Sequence, residues 1–296
     1  MIWVAGQIVP DDALKISALD RTFEHGLGLF ETFRTWNGHA TLLARHLARM
    51  RSSAEELRLP LEPAKLPDED AVSALLRADN REGDAVLRIT LSGGLSETEG
   101  GTVWMRSMPL PRPLRMVDSG FLAKIKGSGV LAFPSTLELD LTTPLGKHKT
   151  LNYWQRRLAC DERGEEIVIS PDGEIVEGMR TNVFYVVGRT LRTAGLSYPI
   201  LPGIMRELIL ERAARLGMAV DEFPFDPMKI IRKGADPDWD ESVWSRAEEV
   251  FLTNSVRGVV PVASLFARYY CECPGPWTQR IWQDTRDWLE RGGIDP

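Results

Sequence analysis

The sequence predicts a mixed α/β protein of two domains. Short alternating strand patterns closed by hairpin-type turns recur along the chain, and apolar residues at a 3.6-residue period mark helices between them. Three prolines, Pro109, Pro111 and Pro113, cluster near the middle and read as a linker. A chain of 296 residues and 33.2 kDa also suits two domains of roughly 100–200 residues each. The expected division is 1–113 and 114–296.

Taken in order, residues 1–9 alternate as a strand, with Gly6-Gln7 turning into a second one. Leu27–Thr35 is expected to be a strand closed by Trp36-Asn-Gly38, because Asn-Gly accepts the positive φ of a tight hairpin turn. Leu43, Leu47, Met50, Ala54 and Leu57 step by four and three along one helix face. Ala85–Ser92 is a strand ended by Gly93-Gly94. In the second half, Gly120–Ala132 is strand-like, Pro144-Leu-Gly146 is a loop, and Leu151–Asp161 is expected to be helical. Glu165–Val187 reads as a hairpin around Ser170-Pro-Asp-Gly173. Pro202-Gly203 opens a helix from Ile204 to Leu216, which Gly217 stops. Val250–Val262 is strand and loop, and Trp277–Trp288 has helical spacing. The pattern holds many hairpins and few βαβ units. Gly26-Leu-Gly28 is followed by a strand pattern and lacks a third glycine, so a dinucleotide-binding fold is disfavoured.

Composition narrows the chemistry. A formal charge of −6 argues against nucleic acid or an anionic membrane as the main partner. No apolar stretch is long enough to span a bilayer and no signal peptide is apparent, so the expected location is the cytoplasm. The four His (His25, His39, His46, His148) show no zinc spacing, and Cys271-Glu-Cys273 alone is not a site, so no metal is expected. Three Cys, these two and Cys160, make no disulfide framework. An enzyme so equipped is expected to borrow its electrophile from an organic cofactor.

Four segments carry candidate chemistry: Asp20-Arg-Thr-Phe-Glu-His-Gly26-Leu-Gly28-Leu-Phe-Glu-Thr-Phe-Arg34 with His46-Leu-Ala-Arg49; His148-Lys149-Thr-Leu-Asn152-Tyr153; Ile175-Val-Glu177-Gly-Met-Arg-Thr181-Asn182-Val-Phe184; and Leu201-Pro202-Gly203-Ile204-Met205-Arg206 through Leu252-Thr-Asn254-Ser255. In this order the set resembles the class IV (fold type IV) pyridoxal-phosphate enzymes from Met1 to about Val262. That family includes branched-chain and D-amino-acid aminotransferases and 4-amino-4-deoxychorismate lyase. The resemblance implies a small N-terminal α/β domain, a larger C-terminal cofactor-binding domain with a barrel-like sheet, and a homodimer.

The resemblance also assigns residues. Lys149 would bond the aldehyde of pyridoxal 5′-phosphate and move the substrate's α-proton; an amine that must lose its own proton belongs beside cationic or apolar groups. Lys147 lies two residues too early relative to Asn152. Tyr153 would bond the cofactor's phenolic oxygen. Glu177, with Asn182 in the same pattern, would face the pyridine nitrogen and keep it protonated. Ile204 and Met205 would offer backbone N–H groups at a helix start to the phosphate. Asn254, Ser255 and Arg49 match further phosphate-side positions. Phe30, Thr32 and Arg34 share a strand face that would line the substrate pocket. Arg88 and Arg34 are both candidates for holding a substrate carboxylate.

The implied activity is transfer of an amino group between an amino acid and a 2-oxo acid. The D-specific carboxylate trap is disfavoured, because Leu91-Ser92-Gly93-Gly94 holds no Arg or His. Phe30-Glu-Thr32-Phe-Arg34 and Leu252-Thr-Asn-Ser255 also look like lyase segments, in which the Thr32 hydroxyl would assist loss of pyruvate and release of 4-aminobenzoate. A non-catalytic protein of this fold is weighed against by the joint presence of Lys149, Glu177 and Arg49.

Overall fold

The computed structural model describes residues 1–112, 116–118, 126–135, 143–158, 164–170, 174–222, 247–266 and 268–295. The expected 113/114 division, Cys160, the first part of the Gly120–Ala132 strand and the Pro-Asp-Gly tip at 171–173 lie outside these residues. The chain divides into two compact units. One comprises Met1–Pro111, His148–Tyr153 and Arg286–Pro296; the other comprises Arg112–Lys147 and Trp154–Thr285.

The first unit holds a five-stranded antiparallel sheet, β1 (Ile2–Val4), β2 (Gln7–Val9), β3 (Gly28–Arg34), β4 (Val86–Ser92) and β5 (Val103–Met108), in the order β2-β1-β5-β4-β3. The short helix α1 (Arg21–His25) starts on Asp20, whose carboxylate accepts from Thr22 N at 2.8 Å. After β3 the chain reverses at Asn37-Gly38, both at positive φ, with Trp36 bridged to His39. That is the turn Asn-Gly requires.

Helix α2 (Leu43–Glu56) follows, burying Leu43, Leu47, Met50 and Ala54. A further helix, α3 (Glu69–Ala78), has an Asp68 cap and buries Val72, Leu75 and Leu76. Leu29, Phe33, Leu87, Ile89, Leu91 and Met105 form a common core with the helix residues. Alternation then sends Phe30, Thr32, Arg88, Thr90, Trp104 and Arg106 to the opposite face, because directly paired strand residues share a face.

The second unit is built on a sheet of β6 (Val117–Asp118), β7 (Lys126–Pro134), β8 (Glu165–Ile169), β9 (Ile175–Gly178), β10 (Asn182–Val187), β11 (Thr190–Thr193), β12 (Ala219–Asp221), β13 (Glu249–Asn254), β14 (Gly258–Leu265), β15 (Arg268–Tyr269) and β16 (Glu272–Cys273). Its main path runs β12-β11-β10-β13-β14-β7-β8-β9, and β9 returns beside β10, so the sheet curls into a half-barrel.

Helix α4 is only Trp154–Leu158. The helix expected from Leu151 therefore starts three residues later, because Lys149 O and Leu151 N hydrogen-bond to the edge of β3 instead. Helix α5 (Ile204–Arg215) begins at Gly203, and Gly217 at φ +77° follows its end. Helix α6 spans Pro276–Glu290. Among the described residues, no helix is long and apolar enough to cross a membrane.

Candidate active site

In the first unit, the lysine segment is fastened to the free edge of β3. Phe30 N donates to Lys149 O at 2.9 Å, Leu151 N donates to Gly28 O at 3.0 Å, and Leu29 bridges Thr150. A side chain at Gly28 would strike Leu151 and the Leu91 carbonyl, so only glycine admits this close approach. The pairing sets Lys149 Nζ 4.5 Å from the Phe30 ring centre and 5.7 Å from that of Tyr153. The two rings meet edge to face at 5.4 Å. Lys149 is half-buried there, whereas Lys147 is exposed. His148, between them, turns inward and bonds Ser53 Oγ at 2.9 Å.

On the helix-covered face of the same sheet lies a charged cluster that sequence reasoning did not single out. Glu31, 2% exposed, accepts from Arg49 Nε at 2.8 Å and Arg49 Nη2 at 2.6 Å, and its Oε2 lies 2.7 Å from His46 Nδ1. Burial alone would raise the Glu31 carboxyl, but the Arg49 charge and the His46 and Arg49 hydrogen bonds outweigh it and hold the group down to about 2. His46 is pushed away from its charged form, first by burial and further by the charges of Arg49 and Lys149; Glu31 opposes this. A neutral His46 therefore carries its proton on Nδ1, toward Glu31. The signal was a His and an Arg three residues apart beside the apolar stripe of α2. Arg49, matched above to a phosphate position, is thus oriented by Glu31.

The two substrate-side arginines differ. Arg34 pairs with Asp84 and stacks over Trp36 at 4.0 Å. Arg88 stacks over Phe30 at 3.8 Å and has no carboxylate partner among the described residues. The Thr32 hydroxyl is buried with no hydrogen-bond partner among them.

In the second unit, Glu177 is 2% exposed, pairs with Arg156 and accepts from Leu201 N at 3.2 Å. Arg156 was not foreseen; it stands seven residues after Lys149, on α4. Asn182 is buried, and its Nδ2 donates to Leu201 O at 3.1 Å. A Cβ on Gly203 would collide with Asn182 Oδ1. Asn182 and Gly203 therefore fix the start of α5, which has no side-chain cap although Ile204 and Met205 are buried. A buried helix start with uncapped N–H groups is suited to an anion. Asn254 spends its side-chain oxygen on its own turn, accepting from Val256 N at 3.1 Å and Arg257 N at 2.8 Å, and Ser255 lies within that turn. No cluster of His, Cys, Asp and Glu among the described residues is placed to hold a metal ion.

The first unit thus lays an amine on aromatic rings, and the second holds a buried carboxylate and an uncapped helix start on its curled sheet. The family described as Amino-transferase class IV matches residues 28–265, and the chain belongs to it. Aminodeoxychorismate lyase of Bacillus subtilis (strain 168) is 28% identical over 273 residues, covering 90% of this chain and 86% of that protein. A probable branched-chain-amino-acid aminotransferase of Thermotoga maritima is also 28% identical, over 291 residues, with 96% and 94% covered. Among solved structures, the branched-chain aminotransferase of the thermophilic archaeon Thermoproteus uzoniensis with norvaline matches with a TM-score of 0.79 at 22% identity, over 98% of this chain and 95% of that one.

Proposed function

We propose that the chain is a pyridoxal-phosphate-dependent aminotransferase moving an amino group between an amino acid and a 2-oxo acid, of branched-chain rather than D-specific type. The observation that carries this reading is the half-buried Lys149 amine, docked by backbone pairing onto β3 and laid against Phe30 and Tyr153.

The residues present fit the cofactor. The uncapped start of α5, at Ile204 and Met205, offers N–H donors to its phosphate, and Asn182 keeps that turn in place. Arg49 adds a cation oriented by Glu31, and Ser255 a hydroxyl. Glu177 offers a buried carboxylate to the pyridine nitrogen and holds a proton there. Tyr153 offers its hydroxyl to the phenolic oxygen. When bound, the cofactor supplies an aldehyde for the substrate amine and an electron-withdrawing ring. Lys149 Nζ takes the proton from the substrate α-carbon, and Phe30 and Tyr153 shield that amine from water. Phe30 and Arg88 border the substrate. A homodimer in the cytoplasm is part of the proposal; the exposed apolar side chains Leu19, Phe23 and Leu27 within one short stretch support the self-association.

The test is spectroscopic. The visible band of the loaded protein is expected to bleach on mixing with L-glutamate or L-leucine and to persist with D-alanine. No bleaching, together with 4-aminobenzoate release from aminodeoxychorismate, would replace this reading with the lyase one. That second reading has its own support in the unpartnered Thr32 hydroxyl and the Bacillus subtilis relative. Thr32→Val separates the roles. A hydroxyl with no partner contributes little to stability, so unfolding free energy should move by less than about 1 kcal/mol. A lyase should nonetheless lose most of its 4-aminobenzoate release, while an aminotransferase should keep its half-reaction rate.

A further inference from the structure

Helix α6 lies beyond residues 28–265, the part of the chain matched to the family. As far as Thr285 it belongs to the second unit, where it is anchored on both sides of Trp282. At its start, Glu249 on β13 accepts from Trp277 N at 2.9 Å and from Thr278 N at 2.7 Å. Glu249 is 5% exposed, so a buried carboxylate caps the helix and faces the positive end of its dipole. Further along, Asp284 receives both arms of Arg212 on α5: Nε donates to Oδ2 at 2.6 Å and Nη2 to Oδ1 at 2.9 Å. Such a fork fixes orientation as well as distance. Between these anchors the half-buried Trp282 lays its outer ring edge on Gly258. A Cβ at Gly258 would fall 2.1 Å from Trp282 Cη2 and 2.6 Å from Cζ3, so the ring fits only because residue 258 has no side chain.

Gly258 closes the turn that holds Ser255. It pairs with Asn254 across β13 and β14 and sits at φ +72°. Asn254 Oδ1 ties down the N–H groups of Val256 and Arg257. A glycine at the other end leaves the turn freer to move than any other residue would, and the Trp282 ring supplies the missing restraint from outside. We infer that Trp282 is a positioning residue for the cofactor phosphate: held by Glu249 and Asp284, it keeps Gly258, and with it the Ser255 hydroxyl, where the phosphate is received. This deepens the function proposed above and rests on it for the role of Ser255. In that reading the start of α5 receives the same phosphate, and Arg212 joins α5 to the same helix, so α6 braces both elements.

Titration of the cofactor-free protein with pyridoxal 5′-phosphate and with pyridoxal, followed by the visible band, tests the brace without turnover. The two ligands share the aldehyde and the ring and differ only in the phosphate. Trp282→Ala should weaken pyridoxal 5′-phosphate by about tenfold, the loss expected for one charge-assisted hydrogen bond, and leave pyridoxal within about twofold. Trp282→Phe keeps an apolar ring on the helix and withdraws the edge that meets Gly258, so the comparison does not depend on the alanine variant folding. It should cost about threefold for the phosphorylated ligand alone. In Ser255→Ala protein, Trp282→Phe should cost nothing further, because the ring acts through that hydroxyl. Equal weakening of both ligands, unchanged affinity for the phosphorylated one, or an undiminished loss in Ser255→Ala protein overturns the positioning role. A wild type that develops no band with either ligand overturns the cofactor reading itself; a band whose affinities ignore Trp282 defeats the brace and leaves that reading standing.

Discussion

Replacing Lys149 with alanine should abolish the visible absorbance of the cofactor-loaded protein and lower turnover by about a thousandfold or more. The expectation follows from position. Lys149 is half-buried beside Phe30 and Tyr153, and its own carbonyl and Leu151 N pin the segment to β3. The backbone pairing of residues 149–151 needs no lysine side chain, so the variant should fold with near-native stability. Lys147→Ala is the matched control: that side chain is exposed, and the band and turnover should stay unchanged. A band that survives Lys149→Ala, or disappears in Lys147→Ala, overturns the assignment.

The largest stability loss is expected at Glu31. Glu31→Ala leaves the Arg49 guanidinium, 10% exposed, without its carboxylate, and removal of one partner from a buried ion pair costs about 3–5 kcal/mol. The pH dependence has a definite sign. The folded Glu31 carboxyl titrates at about 2 against an ordinary value of 4.5. Its contribution is therefore complete above the ordinary value and is lost as pH falls toward about 2. His46 acts in the same direction over a higher range: its charged form is disfavoured in the fold, so stability begins to fall once pH drops below its ordinary 6.5. Urea unfolding of the wild type and Glu31→Ala should show a wide gap at neutral pH that closes in strong acid. A gap of constant size over the whole range would mean that the carboxylate does not carry the effect. Because Glu31 orients Arg49, the variant should also hold pyridoxal phosphate more weakly.

Local patterns were legible where local chemistry settles the backbone. Asn37-Gly38 specified its turn through positive φ, and Leu43–Leu57 specified α2 through its apolar period. Pro202-Gly203 marked the start of α5 and Gly217 its stop. Leu151–Asp161 read as helix because nothing nearby forbade it, yet the first residues gave their hydrogen bonds to β3, distant in sequence. Helix α3 carried its own signal, an Asp68 cap before Val72, Leu75 and Leu76, and could have been found. Trp282 carried only helical spacing, since the packing of α6 alone brings it onto Gly258.

The sequence by itself determined the periods, the turns and the ordered motifs, and with them the mixed α/β class, the family and the residue types available for cofactor chemistry. Tertiary structure alone decided which of those residues act together. It docked Lys149 on the edge of β3 and left Lys147 exposed, gave Arg34 to Asp84 while leaving Arg88 without a carboxylate among the described residues, and bound Glu31, His46 and Arg49 into one cluster. The reason is physical. Backbone dihedrals and face periodicity are set by near neighbours, whereas the partner of a charge depends on strand register and helix packing between distant segments. A shift of one residue in that register would turn Arg88 to the other face of its sheet.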